Sequence, residues 1–157
     1  MTDNFENYRE NLLTVYFTAG YPKLDDTETI ICSLAESGAN IIEIGIPYSD
    51  PLADGPVIQE SGMAAIDNGM TLQVLFKQLT DIRTKTQVPL ILMGYFNQLL
   101  QYGVDKFLDD CVKTGIDGLI IPDLPLMEYE QFYKDKLTQR NISISLVRLS
   151  SLSEWVT

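Results

Sequence analysis

Residues 40–59 read NIIEIGIPYSDPLADGPVIQ, and the rest of the chain is best approached from this stretch. Its first seven residues, Asn40 to Ile46, are almost wholly apolar and β-branched, the composition of a strand buried on both faces of a parallel sheet. Glu43 is the exception. Strand alternation places it on one face with Ile41 and Gly45, and sets Ile42, Ile44 and Ile46 on the other. An unpartnered carboxylate there is costly, so Glu43 is expected to be paired or to keep its proton, and the second state suits general acid/base work. Gly45 is expected to leave open space on that face near the C-terminal strand end, where α/β enzymes place their sites. The competing reading is a structural glutamate bonded to a neighbouring strand or helix.

The loop that follows, Pro47 to Pro56, is stiffened by three prolines, and Asp54-Gly55 before Pro56 has the form of a turn leading into a helix. Asp50 and Asp54 stand at separate points on it. One of them could reach back over the strand end and face Glu43 across a small substrate. Acidic loops also attract Mg²⁺ or Ca²⁺, but the spacing fits no EF-hand, and the expectation is no metal. Ordinary caps on a solvated loop are the plainer alternative.

Outward from this stretch, strands and helices alternate. Leu12 to Thr18 is a β-prone run ending at Gly20-Tyr21-Pro22. Asp25 and Glu28 form a helix-start signal ahead of Ile30, Ile31, Leu34 and Ala35, and Gly38 stands where a helix would end. Two helical stretches separated by Asn68-Gly69 follow the acidic loop, the second with Leu72, Leu75, Phe76, Leu79 and Ile82 on one face. A third strand runs from Pro89 to Gly94. One helix through Phe107 and Cys111 closes at Gly115, a fourth strand covers Gly118 to Ile121, and a helix with Phe132, Tyr133 and Leu137 precedes a fifth strand, Ile142 to Val147. Ser37-Gly38-Ala39-Asn40 and Thr114-Gly115-Ile116-Asp117 are similar joints before two of the strands. Strict alternation argues a parallel α/β sheet, either doubly wound or part of a (β/α)8 barrel. Pattern alone leaves that choice open.

Composition removes several functions. With 11 Lys plus Arg against 22 Asp plus Glu, the net charge is −11, so nucleic-acid binding and a basic membrane anchor are not expected. No apolar run reaches a membrane span and the polar N-terminus is no signal peptide, so the expected location is cytoplasmic. Absence of His removes Ser-His-Asp and Cys-His pairs and His-based zinc sites from this chain. Cys32 and Cys111 read as reduced core thiols. Neither G-x-G-x-x-G nor a P-loop is present.

The run from Glu43 to Gln59 resembles the signature of the tryptophan synthase α chain family, and the similarity extends to Phe17-Thr18-Ala19-Gly20-Tyr21-Pro22, Met93-Gly94-Tyr95-Phe96-Asn97 and Gly118 to Pro125. The resemblance implies a (β/α)8 TIM barrel, of which residues 1–147 would form the N-terminal part, about five βα units. It implies retro-aldol cleavage of indole-3-glycerol phosphate to indole and glyceraldehyde 3-phosphate. It also implies an α2β2 complex with a β chain that holds pyridoxal phosphate, the α chain itself using no cofactor. Matched residue by residue, Glu43 resembles the acid/base and Asp54 the loop carboxylate that stabilises charge at the indole N–H. Tyr16, Thr18 and Tyr95 match substrate-pocket positions, and Asp50, Pro51, Asn97 and Pro125 match loop positions that meet the β chain. Asp123, between two prolines, reads equally well as a turn cap.

The pattern departs from the family after Val147. Residues 148–157 (RLSSLSEWVT) are expected to be an aberrant tail from a frameshift or truncation, and the glycine-rich phosphate-binding segments of the fold are not matched. Two functions are therefore expected to compete: the lyase itself, and a non-catalytic fragment that keeps at most β-chain binding. An open five-strand fragment is also expected to self-associate.

Overall fold

The computed structural model describes residues 12–50 and 54–145. The expectations for Pro51 and for the 148–157 tail lie outside the described residues. Five strands, β1 (Thr14–Thr18), β2 (Ile41–Gly45), β3 (Leu90–Met93), β4 (Gly118–Ile120) and β5 (Ser143–Ser145), pair in parallel in the order β1-β2-β3-β4-β5. Sequential order with no reversal separates this sheet from a doubly wound one, whose strand order turns back at a switch point. It is the arrangement of successive βα units in a (β/α)8 barrel.

Each connection contains helix: α1 (Asp26–Glu36), α2 (Pro56–Asp67), α3 (Leu72–Gln78), α4 (Phe96–Tyr102), α5 (Val104–Thr114), α6 (Leu126–Glu128) and α7 (Lys134–Gln139). A π-helical turn, Tyr129–Tyr133, joins the last two, so the single regular helix expected there is in fact irregular. The connection between β3 and β4 holds two helices where one was expected. α4 is only seven residues long and is parted from α5 by Gly103 at φ +92°. At the start of α1, Asp25 takes the cap position but its side chain makes no cap hydrogen bond, and Glu28 pairs instead with Lys85. Pro56 does open α2 at its first turn.

The two faces of the sheet differ. Ile42, Ile44, Leu90, Leu92 and Leu119 are at most 2% exposed, sealed beneath the helices in one hydrophobic core with Ile31, Leu75, Phe107 and Leu108. On the opposite face Tyr16, Glu43, Ile91, Met93 and Ile120 are only half-buried. β2 is thus not enclosed on both sides, and the face carrying Glu43 is the one with access. Cys111 is buried in the core and Cys32 partly so, both as free thiols; burial pushes the Cys111 thiol far above the ordinary range.

At the N-terminal ends of β3 and β4 one charged group fastens the sheet. Arg83 donates to the Gly115 carbonyl from Nε (2.9 Å) and Nη2 (2.6 Å) and to the Val88 carbonyl from Nη1 (2.8 Å). Asp117 accepts both Arg83 Nη2 and, at 2.9 Å, the N–H of fully buried Leu90. Gly115, at φ +75°, is where this closeness is possible, because a Cβ there would lie 2.7 Å from the Arg83 side chain. Removing the Asp117 carboxylate strands a buried N–H and an uncompensated guanidinium. Asp117→Ala is expected to cost about 1–3 kcal/mol in urea unfolding, whereas Asp105→Ala, which breaks only solvent-exposed pairs with Lys136 and Arg140, leaves the midpoint unchanged. Equal midpoint shifts for the two variants would contradict the assignment.

Candidate active site

The C-terminal ends of β1 and β2, with the loops that leave β2 and β3, bring the candidate residues together. Parallel register sets Glu43 beside Tyr16 of β1 on one side and Ile91 of β3 on the other, and sets Thr18 beside Gly45. Tyr16, Thr18, Tyr48 and Asp54, with Ile58 and Gly62 of α2, enclose a small recess at this end of the sheet. A larger cleft of about 520 Å³ opens between α3 and α4 beneath Pro47, Tyr48 and Ser49. Neither Glu43 nor Asp54 lines it; Asp54 lines the small recess, and Glu43 stands beside Tyr16 at the edge of it through the strand register.

The space expected above Gly45 is filled. A Cβ on Gly45 would fall 2.1 Å from the Tyr16 hydroxyl oxygen and 2.6 Å from Cζ of its ring. The Tyr16 phenol therefore lies across Gly45, with its hydroxyl toward the strand end. Burial raises its pKa above the ordinary tyrosine value; the Thr18 hydroxyl works against that, and the charges of Asp54 and Glu43 add to it. Register sets Glu43 beside Tyr16, and Asp54 lines the same recess as the phenol. Thr18 is itself buried, its Oγ1 2.8 Å from Ser61 Oγ, while Ser61 donates to the Ile58 carbonyl at 2.9 Å; these contacts tie α2 to β1 beside the recess.

Asp54 is half-buried on the loop before α2, and its backbone carbonyl accepts Gln59 Nε2 at 2.8 Å. Burial raises its carboxyl above the usual aspartate range, and a hydrogen bond from the Tyr95 phenol acts in the opposite direction. Tyr95 is in turn stacked on Tyr48, ring centroids 4.9 Å apart and planes 29° from parallel. The loops after β2 and β3 are laced further: Gln98 Nε2 donates to the Pro47 carbonyl at 2.7 Å, and Asn97 Nδ2 to the Tyr48 hydroxyl at 3.3 Å. Asp123 acts as a cap, accepting the Phe96 N–H at the start of α4 at 2.8 Å. Asp50, Asn97 and Pro125 are all exposed, Asp50 and Pro125 on the loops after β2 and β4 and Asn97 in the first turn of α4. Tyr48, Gln98 and Ser61 contribute here without any sequence signal of their own, since each acts through a partner on a different loop or element. Among the described residues no group of three or more His, Cys, Asp or Glu stands close enough to hold a metal ion.

The raised Asp54 carboxyl has a thermodynamic sign. The folded chain binds this proton more tightly than the unfolded chain, so the group's stabilising contribution is present at low pH and is lost as pH rises from the ordinary aspartate value through the raised one. Asp54→Asn is accordingly expected to raise the melting temperature at pH 7 and to leave it unchanged at pH 3. Tyr95→Phe removes the hydrogen bond that favours the anion and moves the Asp54 titration, followed by carboxyl ¹³C NMR, to higher pH. Movement to lower pH would mean that Tyr95 does not hold the carboxylate.

Comparison with known proteins follows the same lines. The family model described as tryptophan synthase alpha chain matches residues 2–154. The tryptophan synthase alpha chain of Parabacteroides distasonis is 47% identical over 154 residues, 98% of this chain and 60% of the relative. That of Christiangramia forsetii is 58% identical over 134 residues, 83% of this chain and 52% of the relative. Among solved structures, tryptophan synthase from M. tuberculosis in its aminoacrylate-bound form superposes with a TM-score of 0.83 at 33% identity, covering 90% of this chain and 58% of that one. The tryptophan synthase subunit alpha from Legionella pneumophila gives 0.81 at 35% identity, covering 88% and 53%. The chain thus spans roughly half to three-fifths of the length of the curated relatives it matches. On sequence and on fold, the chain belongs to the tryptophan synthase alpha chain family.

Proposed function

We propose that the chain supplies the carboxylate half of a lyase site that cleaves indole-3-glycerol phosphate into indole and glyceraldehyde 3-phosphate. The observation that carries this reading is the placement of Glu43 beside Tyr16 on the accessible face of β2, with Tyr16 and Asp54 lining one recess at the C-terminal strand ends of a barrel-type sheet. Retro-aldol cleavage needs one group that both gives and takes a proton. Glu43, on the accessible face of β2, protonates indole C3, which leaves positive charge on the ring N–H. Removal of the proton from the glycerol hydroxyl next to the ring then lets that oxygen form the aldehyde. The C–C bond breaks and its electron pair returns to the ring, giving neutral indole. One proton enters and one leaves, so no redox partner is required. Asp54 remains anionic, accepting the ring N–H and offsetting its charge in the intermediate. A strand carboxylate that cycles its proton and a loop carboxylate held by Tyr95 divide these roles by position.

Tyr16, Thr18 and Tyr95 form the apolar and hydroxyl wall of the substrate recess in this reading. Asp50, Asn97 and Pro125 belong to the rim that a β chain covers, and Pro51 matches a family position that meets that chain, so that indole passes to the partner's pyridoxal phosphate, the α chain contributing no cofactor of its own. A cytoplasmic location accords with this role; no helix among the described residues is long and apolar enough to cross a membrane.

The test is indole formation from indole-3-glycerol phosphate by the purified chain, with and without a β chain. Glu43→Gln is expected to lower turnover by about 10²–10⁴-fold, the scale of one acid/base function. Absence of turnover in the parent under both conditions would overturn the catalytic reading. Calorimetric titration with the β chain then decides whether binding alone remains.

A further inference from the structure

Resting on the site reading above, we infer that Gly45 is a positioning residue: by having no side chain it lets the Tyr16 phenol lie across the end of β2, from beside Glu43 into the recess that Asp54 lines. The argument is geometric. Gly45 is not among the glycines held at positive φ, so its backbone conformation is open to any residue and gives no reason for glycine. What demands it is a neighbour. A Cβ would meet the Tyr16 hydroxyl oxygen at 2.1 Å, Cζ at 2.6 Å and Cε2 at 2.8 Å, three contacts that include the ring itself. Swinging the hydroxyl cannot relieve them; the whole ring has to leave.

Register explains why the ring is there. Tyr16 pairs with Glu43 and Thr18 with Gly45, so on the accessible face Tyr16 and Glu43 are side by side and Gly45 is the next residue toward the strand end. Leaning across Gly45 carries the phenol from beside Glu43 into the recess that Asp54 closes from the loop. The charges acting on it are Glu43 from β2 and Asp54 from the loop, with the Thr18 hydroxyl beside it on its own strand and the Tyr48 phenol lining the same recess. A neutral phenol held there adds no charge to the recess, and its hydroxyl has Thr18 as its hydrogen-bond partner. Glycine at position 45 thereby sets where the Tyr16 phenol stands in the recess.

The experiment labels the chain with [¹³Cζ]tyrosine and follows each phenol by NMR against pH, the Tyr16 signal being identified by its loss in Tyr16→Phe. In the parent, Tyr16 is expected to titrate above the ordinary tyrosine range, and Glu43→Gln and Asp54→Asn each move it down. In Gly45→Ala the Tyr16 signal returns to the ordinary range and no longer responds to either carboxylate substitution. An unchanged Tyr16 titration in Gly45→Ala overturns the inference. Should Gly45→Ala fail to fold, the double variant Gly45→Ala/Tyr16→Ala decides. Recovery of a cooperative melt there supports the contact, and equal loss with or without the Tyr16 ring removes it. The titration needs no turnover, so it stands apart from the lyase assay. Where the parent is active, Gly45→Ala is expected to raise KM more than it changes kcat, because the displaced Tyr16 ring is part of the binding wall while Glu43 and Asp54 remain.

Discussion

The site depends on the parallel register of β1 against β2. Side chains alternate along a strand with a period of two, so pairing Tyr16 with Glu43 and Thr18 with Gly45 puts all four on the accessible face. Sliding β1 by a single residue would bring Val15 or Phe17 beside Glu43 and carry the phenol under the helices. What prevents this is the other face. Ile42 and Ile44 are fully buried in the core, with Val15 and Phe17 packed against it, and their packing fixes the pairing more firmly than any interaction within the recess could. The hydrophobic layer therefore positions chemistry from which it is completely separate.

On that foundation the loops are arranged by contacts between neighbours rather than within themselves. The loop after β2 is held by Gln98 and Asn97 from the start of α4 and by stacking of Tyr48 on Tyr95, and the start of α4 is held by Asp123 from the loop after β4. Three consecutive strand ends are thereby linked. Asp54 inherits its position from this linkage through Tyr95, so the loop carboxylate is oriented by β3 as much as by its own loop.

Much of this could be read from the chain itself, because the relevant signals are local. Alternation around Glu43, Pro56 at the start of α2, and glycines past the ends of α1 and α5 all correspond to positions seen in the fold. The signature running from Glu43 to Gln59 pointed to a barrel where periodicity could not, and the unreversed strand order agrees. The failures share one cause: a partner far away in sequence. α4 was not expected because the Phe96 N–H at its start is satisfied by Asp123, 27 residues on, and the local bond, from the Tyr95 N–H to Gln98 Oε1, comes without a Ser, Thr, Asp or Asn at the cap position. Gly45 was read as open space because nothing nearby in the chain says that a residue 29 positions earlier fills it. Asp25 has the right residue type for a cap and forms none, while Glu28 is drawn to Lys85, 57 residues away.

The two ends of the sheet are fastened by different kinds of bond. At the N-terminal end Arg83 and Asp117 form a charged clamp. At the C-terminal end the links from Gln98 to Pro47, from Asn97 to Tyr48 and between the Tyr48 and Tyr95 rings are between neutral groups. Dissolved electrolyte screens the first and has little to screen in the second. The links between the loop after β2 and the start of α4 are thus insulated from ionic strength, and the solvent's ions act there chiefly on the carboxylates of Glu43, Asp54 and Asp123.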